Sequence, residues 1–321
     1  MRYADSDAMR MALEQRLRNE VDATGVALMR LRKRVAFERF LARLAASPAE
    51  WVLKGAFALE LRLGLRTRMT KDIDLARDDD EATVTRDLTT AAARDPGDFF
   101  GFRVRRTPAL ERVVGFHAVR YRVTSELAGR EFEQFPLDVG LVEAPALAPD
   151  IISVEGSLAF AGVVLPPLAV IAIEQHIAEK VHAYTSTYGS EGRQSTRVKD
   201  LVDLVLIARH ASPHAGRLRH ALSTTFERSR RTTIPDELPP PPREWTIPYA
   251  QMAREVGLPV DATHAHAEVG AFLDPLLDGR AVGVWDAGRA SWQVQRSDDG
   301  THERQHCDPD ERDDRRPRDR R

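Results

Sequence analysis

The chain has 321 residues, of which 42% are hydrophobic and 30% are charged, and its formal net charge is −2. This composition supports a sizeable core and excludes a fully disordered chain, and the near-neutral charge excludes a uniformly basic nucleic-acid binder. The single cysteine, Cys307, excludes a disulfide framework and a cysteine-based zinc site. Because we find neither a signal peptide nor an apolar run of membrane-spanning length, we expect a cytoplasmic protein without a membrane partner.

The first predicted elements are two helices within residues 8–46, and the second ends before Ser47-Pro48. Apolar residues at helical spacing mark the core face of this second helix: Phe37, Phe40, Leu41 and Leu44. Its other face carries six basic residues against the single acid Glu38, namely Arg30, Arg32, Lys33, Arg34, Arg39 and Arg43. Two interpretations of this face stay open, a solvated helix surface and a surface that binds RNA or a triphosphate.

From Trp51 onwards, strands and helices alternate. The predicted elements are a strand at 51–53, a helix at 57–63, a strand at 72–75, a helix at 80–94 and strands at 99–104, 113–123 and 135–142. This order predicts a mixed β-sheet lobe flanked by helices over residues 1–165. Helices at 168–184, 198–210, 247–257 and 262–277 then predict a mostly α-helical lobe over 166–290. The charged residues 291–321 predict a disordered tail.

Three acidic residues of the predicted sheet point to a metal site. Asp72 and Asp74 flank Ile73, and strand alternation sends both carboxylates to one face. Adjacent carboxylates repel each other and favour a bound cation, although exposed acids are the ordinary explanation of an isolated Asp-x-Asp. Asp138 lies between apolar residues of a later strand, where an unpaired carboxylate is costly. If the two strands are neighbours, all three acids converge on Mg²⁺ or Mn²⁺, which clamps the oxygens of a nucleotidyl transfer.

Four residues near these acids are candidates for binding the phosphates of a nucleotide. At the Gly55-Ala56 turn the chain enters a helix, and the backbone N–H groups at such a turn bind phosphate. An ordinary strand-to-helix turn is the alternative. Arg68 and Thr70 precede the acids and are placed to approach a triphosphate. Lys71 lies on the opposite strand face, where we expect a structural or solvent-facing role.

The helical lobe carries a second group of charged residues. Lys180 lies off the apolar stripe of its helix, so it is either a surface lysine or a cation that stabilises departing pyrophosphate. Lys199, Asp200 and Asp203 are spaced three and four residues apart and therefore cluster on one helix surface. A salt-bridged structural network is one interpretation of this cluster.

Together these motifs resemble the nucleotidyltransferase-like toxins of the AbiEii type, within the DNA polymerase beta-like nucleotidyltransferase superfamily. The similar segments are Leu53–Leu59 with Gly64, Arg68-x-Thr70-x-Asp72-x-Asp74-Leu75, Leu137–Gly140, Glu174–Ala183 and Arg197–Leu204. The similarity runs from about residue 30 to about residue 280. One departure is the Gly55-Ala56 turn, because Gly-Gly or Gly-Ser is common there in the superfamily.

The resemblance implies an α+β nucleotidyltransferase that uses Mg²⁺ to transfer NMP from an NTP to an acceptor hydroxyl, with release of pyrophosphate. It implies that Asp72, Asp74 and Asp138 bind the metal, and that Lys199, Asp200 and Asp203 line the cleft, one acid helping to deprotonate the nucleophile. It also implies the toxin of a toxin–antitoxin or phage-defence pair, with a cognate antitoxin encoded nearby and RNA, notably the tRNA 3′ end, as acceptor. Two alternatives stay open, the same chemistry on a protein or small molecule, and a non-catalytic binding module with a relic site.

Overall fold

The computed structural model describes residues 2–107, 118–141, 145–188, 193–194, 197–229 and 233–294. Within these residues the chain folds around two hydrophobic cores, one beneath a seven-stranded sheet and one among helices. We call the two parts the sheet lobe and the helical lobe. No helix in the described ranges is both long and apolar enough to cross a bilayer.

In the described residues, the sheet lobe contains four α-helices and seven β-strands. They are α1 (Ser6–Thr24), α2 (Leu28–Ala45), β1 (Val52–Lys54), α3 (Gly55–Leu63), β2 (Ile73–Arg77), α4 (Glu81–Ala92), β3 (Phe100–Arg106), β4 (Ala118–Leu127), β5 (Arg130–Leu141), β6 (Asp150–Ile152) and β7 (Leu168–Val170). Across the sheet the strand order is β3-β4-β5-β2-β1-β7-β6. The β2–β5 and β1–β7 pairs are parallel and the others are antiparallel. The predicted mixed sheet flanked by helices is confirmed.

The basic face of α2 is turned into the protein. Arg39 and Arg43 are 2% and 1% exposed and share the buried carboxylate of Asp98, at 2.9 and 2.8 Å. The remaining basic residues pair with acids: Arg30 with Glu60, Arg32 with Glu14, Lys33 with Glu133 and Arg34 with Glu38. Both interpretations of this face are therefore wrong, because it is neither solvated nor free to bind RNA. Buried arginine side chains need acidic partners of this kind, because a buried charge without a partner strongly destabilises the fold.

The helical lobe contains the elements after β7. They are α5 (Ile173–Thr185), β8 (Thr187–Tyr188), β9 (Arg193–Gln194), α6 (Val198–His210), α7 (Ala215–Ser229), α8 (Thr246–Glu255), α9 (Ala262–Leu277), β10 (Val284–Asp286) and β11 (Ser291–Gln293). The predicted mostly helical character is confirmed. The lobe boundary between 165 and 166 stays a prediction.

Two elements differ from the sequence prediction. The helix predicted over 168–184 begins at Ile173, because Leu168–Val170 forms β7 beside β1. A short apolar run fits a buried strand as well as a helix, and neighbouring strands decide between them. The predicted tail begins too early, since Ser291–Gln293 pairs with β10 and Trp292 stacks on Phe272. Residues 295–321 of that tail, like the start of the strand predicted at 113–123, lie outside the described residues.

Helix α3 connects the two cores. Phe57 and Ala58 pack in the core of the sheet lobe, whereas Leu59 packs in the core of the helical lobe. The same short helix begins directly after β1, so its first residues lie where the sheet meets the helical lobe. This position places α3 beside the acids that the sequence analysis singled out.

Candidate active site

Three carboxylates meet on one face of the sheet. Asp74 lies on β2 directly opposite Asp138 on the parallel strand β5, and Asp72 lies in the bend that precedes β2. One carboxylate oxygen from each residue lies within 4.8 Å of the other two. Ile73 points to the opposite face and is fully buried. The structure therefore brings the three predicted acids together, and we call Asp72, Asp74 and Asp138 the carboxylate triad.

The electrostatics of the triad suit a divalent cation. Burial, together with the negative charges of Asp72 and Asp138, raises the pKa of Asp74 from 3.8 to about 6. Lys199 and Lys54 act in the opposite direction but do not cancel this effect. Oxygen donors that crowd together with insufficient positive charge around them are the ligands that Mg²⁺ and Mn²⁺ prefer. The donor set therefore fits a divalent ion.

Gly55 allows α3 to begin against the triad. Its φ is +67°, and a Cβ at this position would lie 1.9 Å from Asp74 Oδ2. Only glycine meets both conditions without strain. The N-cap residue Lys54 makes no side-chain capping bond, so the first N–H groups of α3 are not capped from that residue. Ala56 is 5% exposed, so its methyl group is buried. The phosphate contact predicted for Ala56 is one from its backbone N–H.

Two neighbouring side chains bond to the carboxylates. Thr70 is 5% exposed, and its Oγ1 donates to Asp72 Oδ1 at 2.8 Å, so this hydroxyl orients an acid. Arg120 on β4 lies opposite Asp138 in register and donates to both of its oxygens, at 2.6 and 2.5 Å. A metal ion that uses Asp138 must share or displace this guanidinium. Sequence reasoning missed Arg120, because only the register of β4 against β5 brings it to the triad.

Three of the four predicted residues of the helical lobe form a buried ion network with Arg68. Lys180 donates to Asp203 at 2.6 Å and to Asp200 at 3.3 Å, and Arg68 donates two bonds of 3.0 Å to Asp203. Lys180 is 6% exposed, so the surface-lysine interpretation is wrong. Burial opposes the ionisation of Asp203, but Lys180 and Arg68 outweigh it and lower its pKa. We call Arg68, Lys180, Asp200 and Asp203 the inter-lobe network.

Two further lysines lie close to the triad. Lys199 is exposed and is the cation that most opposes the raised pKa of Asp74. Lys54 lies opposite Asp74 in register and forms an ion pair of 2.8 Å with Glu179 of α5. Lys71 is exposed, in agreement with the solvent-facing alternative. Of the predicted cations, Lys199 is thus the one that combines exposure with a position near the triad.

Comparisons with known proteins place this geometry in a family. No curated protein matches the chain. Among solved structures, it is similar to the nucleotidyltransferase toxin MenT4 from Mycobacterium tuberculosis H37Rv, with a TM-score of 0.56 and 19% identity over 86% of this chain and 92% of that one. At this identity the similarity shows the fold. The profile of the family described as "Nucleotidyl transferase AbiEii toxin, Type IV TA system" matches residues 39–278. Because this match covers more than half of the sequence, the chain belongs to the AbiEii family of nucleotidyltransferase toxins.

Proposed function

We propose that the protein uses Mg²⁺ or Mn²⁺ to transfer NMP from an NTP to a hydroxyl of RNA, with the tRNA 3′ end as the first acceptor to test. Within the same proposal it is a cytoplasmic toxin that a cognate antitoxin restrains, in a system that acts in phage defence. The observation that carries the proposal is the carboxylate triad, in which Asp74 and Asp138 pair across parallel strands within reach of Asp72. Membership of a nucleotidyltransferase toxin family supports it.

The triad would hold the metal ion. A bound ion supplies charge stabilisation at the phosphate oxygens and alignment for in-line displacement. In the transfer, the acceptor oxygen forms a bond to the α-phosphorus and the bond to the bridging oxygen breaks. Pyrophosphate leaves with the electron pair, and a general base takes the hydroxyl proton. Thr70 supports this chemistry by orienting Asp72.

The nucleotide phosphates are proposed to bind on the β1 side of the triad. The backbone of Gly55 and Ala56 opens α3 there, and the N-terminus of a helix favours anions. Lys199 adds an exposed cation near Asp74. These groups are donors to a triphosphate in the proposal.

The inter-lobe network is proposed to position the site rather than to touch the reacting atoms. Asp203 accepts bonds from Lys180 and from Arg68, and its lowered pKa makes it a weak base. Lys180 donates to two buried carboxylates and is 6% exposed, so in the proposal it stays in the network and does not bind pyrophosphate. Arg68 interacts electrostatically with Asp72 as well as with Asp203, which couples the network to the triad.

A labelling experiment tests the proposal. The full chain is incubated with NTPs labelled at the α-phosphate, Mg²⁺ and total cellular RNA, beside Asp74→Asn and the exposed control Asp7→Asn. We expect label in RNA and free pyrophosphate with the parent and the control, but not with Asp74→Asn. Label in protein or in a small molecule, with none in RNA, would reject the RNA acceptor. No label in any fraction, and no binding of Mg²⁺ with a non-hydrolysable triphosphate by calorimetry, would identify a relic site.

A further inference from the structure

One exposed face of the sheet carries a row of arginines that leads to the triad. Arg120 contacts Asp138, so both lie on the same face, and Arg122 lies on that face two residues further along β4. On the neighbouring strand β3, Arg105 lies opposite Arg122, and Arg103 lies opposite Thr124. We call Arg103, Arg105 and Arg122 the arginine face.

The central pair of this face is two cations directly opposite each other. Like charges at such a cross-strand position destabilise a sheet. Arg105 and Arg122 are both exposed, and no ion pair with a carboxylate is found for either within the described ranges. Arg122 instead donates to the neutral Oε1 of Gln134 at 2.9 Å, which holds its guanidinium without removing its charge. Among the described residues, no carboxylate therefore neutralises this pair.

Nearby arginines show that neutralisation is possible on these strands. Arg103 pairs with Glu126 at 2.5 Å, and Arg106 pairs with Glu81 at 2.6 Å. Charges on an edge strand often prevent pairing with another chain, which would account for Arg105 on β3. That explanation does not extend to Arg122, because β4 lies inside the sheet. An anion from outside the chain would account for both residues.

The length and position of the row indicate which anion it fits. From the Arg105–Arg122 pair to Arg120, which contacts the triad, β4 advances two residues, or about 7 Å, about the length of two stacked nucleotides. The row also lies on the β4 side of the triad, whereas the proposed donors to the triphosphate lie on the β1 side. The acceptor must reach the triad from a side that the nucleotide leaves open.

We propose that the arginine face binds the phosphodiester backbone of a single-stranded RNA segment and leads its terminal hydroxyl to the triad. This inference rests on the proposed function and adds the acceptor path to it. Arg105 and Arg122 each neutralise a phosphate, and Gln134 keeps the guanidinium of Arg122 in place. The contacts are to the backbone, so they position the acceptor without reading its sequence.

The test measures binding without chemistry. The full chain is titrated into a fluorescein-labelled single-stranded RNA in EDTA, and the dissociation constant from anisotropy is followed against salt concentration. The slope of log K against log salt is negative, and each phosphate contact on a single strand contributes about 0.7 to its steepness. Loss of two contacts therefore makes the slope shallower by about 1.4. We expect this decrease for Arg105→Gln/Arg122→Gln. Arg105→Lys/Arg122→Lys keeps both charges and should keep the slope.

The matched control is Arg280→Gln/Arg289→Gln, which removes the same charge from two exposed arginines of the helical lobe, each paired with an aspartate. It should leave the salt slope unchanged. Equal slopes for the two glutamine variants would overturn the inference, as would a weaker complex with the antitoxin combined with unchanged RNA binding. A lower midpoint of unfolding for Arg105→Gln/Arg122→Gln than for the control would show a structural pair and also overturn it. The parent's transfer of label to RNA is measured separately, so failure of the acceptor path and failure of the proposed function are distinguishable.

Discussion

The carboxylate triad and the inter-lobe network use the same residue types in opposite ways. In the network, Asp200 and Asp203 are 1% exposed and are surrounded by Lys180, Arg68 and Arg197, so cations outnumber acids. In the triad, the pair of Asp138 with Arg120 is the only ion pair found for the three acids among the described residues. The pKa values reflect this difference, because that of Asp203 is lowered and that of Asp74 is raised to about 6.

Acids that are paired with cations stabilise the fold, whereas acids that outnumber the nearby cations favour binding of a metal ion. A buried network in which each acid is paired with cations stabilises one arrangement of the two lobes, and breaking it leaves charges without partners. An unbalanced cluster costs stability until a cation binds, which is the property expected of a metal site. The following predictions test the contrast, beginning with the largest expected effect.

Removing Asp203 should destabilise the fold. Asp203→Ala leaves Arg68 and Lys180 buried without their shared carboxylate, and breaking a buried ion pair costs about 3–5 kcal/mol. We expect that decrease in the free energy of unfolding from urea denaturation. The exposed control Asp7→Ala, whose pair with Arg130 spans 3.4 Å, should change it by less than about 1 kcal/mol. Unchanged stability with lost transfer would instead place Asp203 among the reacting groups.

Displacing Asp74 should abolish most of the transfer. Gly55→Ala introduces a Cβ that collides with Asp74 Oδ2, and a displacement of about 1 Å at a reacting site can reduce the rate about 100-fold. The initial rate of label transfer measures this loss. Gly64→Ala is the matched control, because Gly64 has a φ of +71° and nothing within 4 Å of the added Cβ. Equal losses in both variants would mean that backbone strain, rather than the position of Asp74, is responsible.

The metal-free protein should lose stability as the pH rises through the titration of Asp74. Its pKa is raised from 3.8 to about 6, so the folded state holds a proton that the unfolded chain has lost between these values. Stability should fall across this window by about 2 kcal/mol, after an allowance for solvent screening. Asp74→Asn should flatten the fall, as measured by urea unfolding in EDTA. Parallel curves for the parent and Asp74→Asn would contradict the assignment.

Removing Arg120 should tighten metal binding. Arg120→Ala frees both oxygens of Asp138 and removes a positive charge from the triad, so we expect Mn²⁺ to bind about tenfold more tightly, or by about 1.4 kcal/mol. Electron paramagnetic resonance of free Mn²⁺ measures the dissociation constant. Arg122→Ala on the same strand is the control, because its guanidinium bonds to Gln134 rather than to the triad. Weaker binding by Arg120→Ala would show that Arg120 supports the occupied site.

Much of the fold could be predicted from local patterns. Helical spacing predicted α2, and alternation around Ile73 predicted two acids on one face, because both periodicities follow from the backbone alone. The same patterns failed where the neighbour decides. From the sequence alone, the arginines of α2 are expected on the surface. Arg39 and Arg43 are nevertheless buried, because Asp98 lies beside them. Residues 168–170 form a strand because their backbone pairs with β1.

For the candidate site, the sequence by itself determined which acids and cations are present and which of them share a face. Only the tertiary structure decided their partners, because register and lobe packing join residues that are distant in the chain. Register set Arg120 against Asp138 and Arg105 against Arg122. Packing of the lobes joined Arg68 to Asp203, 135 residues away. A carboxylate becomes a metal ligand or a structural ion according to the charge around it, and that charge comes from the fold.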